Sequence, residues 1–80
     1  MPMSVWTKRF WATGRLPGNV RTAFEGDSVA ELDAEARRLE LGWWAVYRND
    51  PHFHSTAQRE YLVHHHDDPY WLAQGVPSEN

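Results

Sequence analysis

The chain has 80 residues, with 8 basic and 11 acidic side chains and a net charge of −3. This length predicts a single domain with a thin core, and so small a charge does not specify a partner. Cysteine is absent, which excludes disulfides and thiolate ligands and favours a reducing, cytoplasmic compartment. The sequence has no apolar run of about 18 residues, so neither a membrane span nor a membrane partner is predicted.

Aromatic residues supply much of the apolar mass. The chain has 5 Trp, 3 Tyr and 3 Phe but no Ile, and each large ring can bury about 150–250 Å². We therefore expect a few rings to dominate the core. Arginine also outnumbers lysine seven to one, which suggests a GC-rich coding sequence from a bacterium or a phage.

The first half of the chain predicts two strands and a helix. Residues 4–12 are rich in strand formers, residues 13–19 are rich in turn formers and should be a hairpin loop, and residues 20–25 alternate as a second strand. Ser28 and Glu31 have the spacing of a capping box, which predicts a helix over about 29–41. Gly42 then fits the residue that follows the helix C-cap.

Two interpretations remain open in the second half. Residues 43–48 predict a buried strand, and a turn follows at 49–51. Beyond the turn, 52–56 and 60–65 either pair as a further hairpin or give way to a helix that begins at Ser55 with Gln58 as its capping partner.

The end of the chain predicts a short helical turn. Asp68 and Pro69 are typical of a helix start, Gly75 and Pro77 should end the turn, and residues 76–80 should be frayed. The whole pattern predicts a two-layer α+β fold of β-β-α-β type, in which a small antiparallel sheet packs on one main helix, with a further C-terminal hairpin or short helix.

Neighbouring indoles raise the question of function. Consecutive residues of a strand point to opposite faces, so Trp43 and Trp44 cannot both face the helix. The segment 70–72 is the nearest candidate to cover the other indole. A ring left uncovered indicates a partner protein or self-association.

Three functional hypotheses follow. The leading one is a non-enzymatic protein-binding module, such as a regulator or inhibitor, with a contact set drawn from residues typical of interfaces: Trp11, Trp43, Trp44, Arg48, Tyr70 and Trp71. The second is nucleic-acid binding by a basic hairpin with interleaved aromatics, through Lys8, Arg9, Arg15 and Arg21. The third is a zinc site on paired strands, with His52, His54, His64 and His66 as ligands.

Each hypothesis has a plainer alternative. All of the aromatic rings can be buried in the core, the cations can lie on a solvent-exposed strand face, and the histidines can lie at a polar strand edge without binding a metal. No nucleophile elbow, phosphate-binding glycine loop or helical metal motif occurs. We therefore expect no enzymatic activity and no cofactor, zinc excepted.

Overall fold

The computed structural model describes residues 8–78 as a four-stranded antiparallel sheet with one main helix and a short second helix. The elements are β1 Phe10–Leu16, β2 Val20–Gly26, α1 Val29–Arg38, β3 Trp44–Arg48, β4 Leu62–His66 and α2 Pro69–Ala73. A 3₁₀ turn, Arg59–Tyr61, precedes the last strand. The strands follow the order β2-β1-β3-β4 across the sheet, which confirms the predicted α+β class.

The first strand begins and ends later than predicted. β1 runs through Leu16, so the loop predicted over 13–19 is wrong for its first half, and the predicted residues 4–7 lie outside the described part of the chain. Gly14 contributed to the wrong prediction, because glycine is required at this position for close packing and not for a turn. A Cβ at Gly14 would lie 2.5 Å from the carbonyl oxygen of Trp43. The turn itself lies at Pro17-Gly18, where Asn19 N–H donates to the Leu16 carbonyl.

Helix α1 begins as predicted but ends earlier. Ser28 Oγ accepts the N–H of Glu31 at 3.1 Å, as in a capping box. The helix then stops at Arg38, and Glu40, not Gly42, adopts the left-handed conformation with φ 60°. Leu41 N–H returns to the Ala36 carbonyl at 3.1 Å, which completes a Schellman motif.

The third strand and the second helix lie close to their predicted positions. β3 begins at Trp44, one residue later than predicted. Asp68 caps α2 by accepting the N–H of Tyr70 at 2.9 Å, and Pro69 is the first helical residue, as expected from its fixed φ.

The hairpin that would pair residues 52–56 with 60–65 does not form. The segment 51–58 contains turns and irregular backbone but no strand, and β4 pairs with β3 instead. Ser55 and Gln58 do make a local cap, because Gln58 Oε1 accepts the N–H of Ser55 at 2.7 Å. Only a single turn follows, since Gln58 N–H donates back to the Ser55 carbonyl.

The sheet carries a core on each face. On the helix face, Leu32 and Ala36 of α1 pack on the strands, and the buried cluster is Ala12, Leu32, Ala36, Leu41, Trp44 and Val46. On the opposite face, hereafter the second face, the segment after β3 and helix α2 provide the cover. The buried cluster there is Trp11, Ala45, Tyr47, Tyr61, Leu62 and Trp71, with Phe53 and Val76 packed against it.

The two faces resolve the question of the paired indoles. Trp44 lies against α1 and is 2 % exposed, whereas Trp43 is half-buried and borders the second face. None of the helices in the described part of the chain has the length and apolar composition that crossing a membrane requires.

Candidate functional site

A groove lies on the second face, next to β1 and β2. The turns after β3 and helix α2 cover part of this face and leave an opening between them. The opening has a volume of about 250 Å³, and its lining includes Thr13, Arg15, Arg21, Trp43, Thr56 and Tyr70. We call it the arginine–tryptophan groove.

The floor of the groove is held by two hydrogen bonds of one phenol. Tyr47 Oη donates to the Thr56 carbonyl at 2.8 Å and accepts the Nε1–H of Trp71 at 2.9 Å. Burial raises the pKa of Tyr47 to about 12, although the hydrogen bond from Trp71 opposes the shift. The phenol therefore stays neutral at physiological pH, and it joins β3 to both covering segments.

Two accessible rings border the groove. Trp43 is half-buried and precedes β3. Tyr70 is 44 % exposed and packs edge-to-face on Trp71, with ring centroids 4.9 Å apart. Rings of this kind offer apolar contact area together with a polar tip.

Two arginines lie directly opposite each other beside these rings. Arg15 of β1 is the cross-strand partner of Arg21 of β2, and like charges in this position are unfavourable. Neither guanidinium forms an ion pair with an acidic residue of 8–78. Arg15 makes only a long hydrogen bond, 3.5 Å, to the Asn19 carbonyl.

One acid also lines the groove. Asp68 is 5 % exposed, and its Oδ1 accepts the N–H of Tyr70. This carboxylate caps helix α2 and forms no ion pair with either arginine. The solvent-facing charge of the groove is therefore positive.

The predicted protein-binding residues separate into two groups. Trp11, Trp44 and Trp71 are 8 %, 2 % and 2 % exposed and serve as core, while Trp43 and Tyr70 stay accessible at the groove. Arg48 is exposed but lies apart from the groove. It stacks over Tyr61 at 5.1 Å and donates to the Glu60 carbonyl. The binding role of the set stays a prediction.

The four predicted nucleic-acid contacts divide between the two ends of the first hairpin. Lys8 lies before β1, with Nζ 3.6 Å from Asp27 Oδ2, and Arg9 is stacked over Phe10 at 5.9 Å. Arg15 and Arg21 lie at the other end, near the turn. The cations therefore form two separate pairs and not one continuous basic surface.

The predicted zinc ligands do not converge. His52 and His54 lie in the turns after β3, whereas His64 and His66 belong to β4, so the strand pairing behind this hypothesis is wrong. No group of three or more His, Asp or Glu side chains within residues 8–78 is arranged to hold a metal ion.

Two of these histidines are engaged with the helix face. His64 Nε2 lies 3.2 Å from Asp33 Oδ2, and Asp33 Oδ1 accepts the indole N–H of Trp44 at 2.7 Å. His66 stacks on the Trp44 ring with centroids 4.4 Å apart. No pattern in the sequence indicates this network, because it depends on the position of α1 over β3 and β4.

The sequence predicts Arg15 and Arg21 as binding cations, but it does not predict that they face each other across the hairpin. A three-residue loop over 17–19, which pairs Leu16 with Val20, would have placed Arg15 opposite Arg21. Comparison with protein-family models, curated proteins and solved structures found no match to this chain.

Proposed function

We propose that this protein is a non-enzymatic binding module that holds an acidic segment of a partner protein in the arginine–tryptophan groove. The observation that carries the proposal is the pair Arg15 and Arg21, which face each other without an acidic partner in the described chain. Two guanidiniums held side by side are suited to carboxylates. A bound carboxylate would also relieve their mutual repulsion.

The neighbouring rings extend the recognition beyond charge. Trp43 and Tyr70 would contact apolar groups next to the bound carboxylate, which is the usual division between an interface core and its rim. Tyr47 fixes the floor through Thr56 and Trp71. Little ordering of the protein is therefore required on binding.

An acidic peptide is favoured over a nucleic acid for two reasons. Lys8 is paired with Asp27 and lies at the far end of the hairpin, so only two cations face the groove. The net charge of −3 also opposes a polyanion with a long charged backbone. The absence of cysteine is the reason for placing this activity in the cytoplasm.

Fluorescence anisotropy with three labelled probes tests the proposal. The probes are a short peptide of glutamate and phenylalanine, the same peptide with lysine in place of glutamate, and an oligothymidylate. We expect the glutamate peptide to bind and the lysine peptide not to bind. Tighter binding of the oligothymidylate, with a steep salt dependence, would support the nucleic-acid alternative instead.

Matched variants locate the site. Trp43→Ala and Arg15→Glu should each weaken binding of the glutamate peptide about tenfold or more. Arg59→Glu changes the charge equally at an exposed residue outside the groove and should leave binding unchanged. Equal effects of Arg15→Glu and Arg59→Glu would mean that net charge, and not the groove, controls affinity.

A further inference from the structure

Strand β2 forms an outer edge of the sheet, because the order across the sheet is β2-β1-β3-β4. It pairs with β1 over seven residues without a register shift and contains no proline. Proteins usually protect such an edge with prolines, bulges, charged side chains or a covering segment. β2 has neither a proline nor a bulge, and its two charged residues, Arg21 and Glu25, are opposite in sign. No strand of residues 8–78 lies beyond β2, so this edge can accept another strand.

The hydrogen bonding of Thr22 identifies the outward residues. Its carbonyl accepts Oγ1–H of Thr13 on β1 at 3.1 Å, so the backbone groups of Thr22 face β1. Backbone groups alternate in direction along an antiparallel strand. Arg21, Ala23 and Glu25 therefore direct their N–H and C=O groups away from the sheet.

Only one antiparallel register lets all seven residues of β2 pair with β2 of a second copy, and it places Ala23 opposite Ala23. In this register Arg21 faces Glu25 of the second copy, and Glu25 faces Arg21 of the second copy. Cross-strand pairs of opposite charge stabilise a sheet. The three outward residues also become the hydrogen-bonded pairs of the new ladder.

The helix face of β2 would also form contacts in the same register. Val20, which is 54 % exposed, would lie opposite Gly26 of the second copy. It would meet Leu32 and Glu31 of that copy's α1, because these side chains cover Gly26. Thr22 would lie opposite the half-buried Phe24. Both pairs are on the face that carries α1, so the two helices would cover the same side of an eight-stranded sheet.

We infer that two copies of this chain associate through β2 in this register, related by a two-fold axis at Ala23. The contact closes on itself, because each copy presents the same surface to the other. Arg21 belongs both to the β2 edge and to the lining of the groove, so substitution of this residue alone does not separate the inference from the proposed function. Glu25 belongs to the edge but not to the lining of the groove, and Trp43 belongs to the groove but not to the edge, so substitutions at these two residues test the two proposals separately.

Amide hydrogen exchange at several protein concentrations tests the contact without substitution. The amides of Arg21 and Ala23 should become protected as the concentration rises. The amides of Thr22 and Phe24 face β1 and should be protected at every concentration. Outward amides that exchange at the same rate from micromolar to millimolar protein would overturn the inference.

A charge-swap series, followed by analytical ultracentrifugation, tests the register. Arg21→Glu and Glu25→Arg each place like charges opposite one another twice in the dimer. Each should therefore raise the dimer Kd about tenfold or more, whereas the double variant should restore it. Arg59→Gln removes a charge at an exposed residue that lies outside both the β2 edge and the groove and should not change the dimer Kd. A double variant no stronger than the singles would contradict this register.

One further variant guards against an effect on folding. Ala23→Pro removes an outward N–H at the centre of the contact, and proline is tolerated on edge strands. We expect it to stay folded by circular dichroism and to be monomeric. A folded Ala23→Pro that still forms dimers would show that the copies meet through another surface.

Discussion

The phenol of Tyr47 should contribute strongly to stability, and Tyr47→Phe removes only its oxygen. Trp71 Nε1–H then loses its buried acceptor, which costs about 1–3 kcal/mol. The Thr56 carbonyl loses its donor, which adds about 1 kcal/mol. We expect the free energy of unfolding to fall by about 3 kcal/mol in urea titrations at neutral pH. The melting temperature should fall by roughly 15 °C, as expected for a chain of this size.

Tyr61→Phe is the matched control for this variant. Tyr61 is also buried, but no hydrogen bond of its hydroxyl is found within residues 8–78. Removal of the Tyr61 hydroxyl should change the free energy of unfolding by less than about 0.5 kcal/mol. A Tyr47→Phe variant as stable as Tyr61→Phe would refute the role assigned to the two hydrogen bonds.

The same phenol leads to a second prediction, which concerns the free energy of unfolding at alkaline pH. The pKa of Tyr47 is raised by burial from 10.0 to about 12 in the folded protein. The neutral phenol therefore contributes fully to the free energy of unfolding below pH 10. As the pH rises through 12 this contribution is lost, and the free energy of unfolding should fall by ~2 kcal/mol. Urea titrations across this range should show this decline in the wild type but not in Tyr47→Phe. An identical decline in both proteins would mean that other groups control alkaline unfolding.

Four further substitutions test the backbone and the cap of α1. Glu40→Gly should raise the free energy of unfolding by about 1 kcal/mol, because Glu40 holds a positive φ of 60° that glycine adopts without strain. Gly14→Ala should lower it by ~3 kcal/mol, since the added Cβ would lie 2.5 Å from the Trp43 carbonyl, whereas Gly42→Ala, with nothing within 4 Å, should be nearly neutral. Ser28→Ala should cost about 1 kcal/mol through loss of the α1 cap. Urea titration measures all four, and a Gly14→Ala no worse than Gly42→Ala would contradict the packing argument.

Features that depend on neighbouring residues could be predicted from the sequence. The start of α1 at Ser28 and the capping of α2 by Asp68 follow from short-range hydrogen bonds, and the structure confirms both. The opposite directions of Trp43 and Trp44 follow from strand geometry alone. These features need no knowledge of which strands pair.

Features that depend on distant residues could not be predicted in the same way. Gly14 is required because the backbone before β3 approaches β1, so its turn-like composition was misleading. The end of α1 was misplaced because Glu40 takes a conformation that usually favours glycine. The candidate groove also depends on strand register, since only the pairing of β1 with β2 brings Arg15 opposite Arg21.

The unequal burial of the tryptophans has a spectroscopic consequence. Among the indoles of residues 8–78, Trp11, Trp44 and Trp71 are shielded from water, whereas Trp43 retains contact with it. A water-soluble quencher such as iodide should therefore reach Trp43 first among them. The groove thus carries an internal reporter, and a ligand seated there should protect this indole from the quencher while emission from the three buried rings stays unchanged.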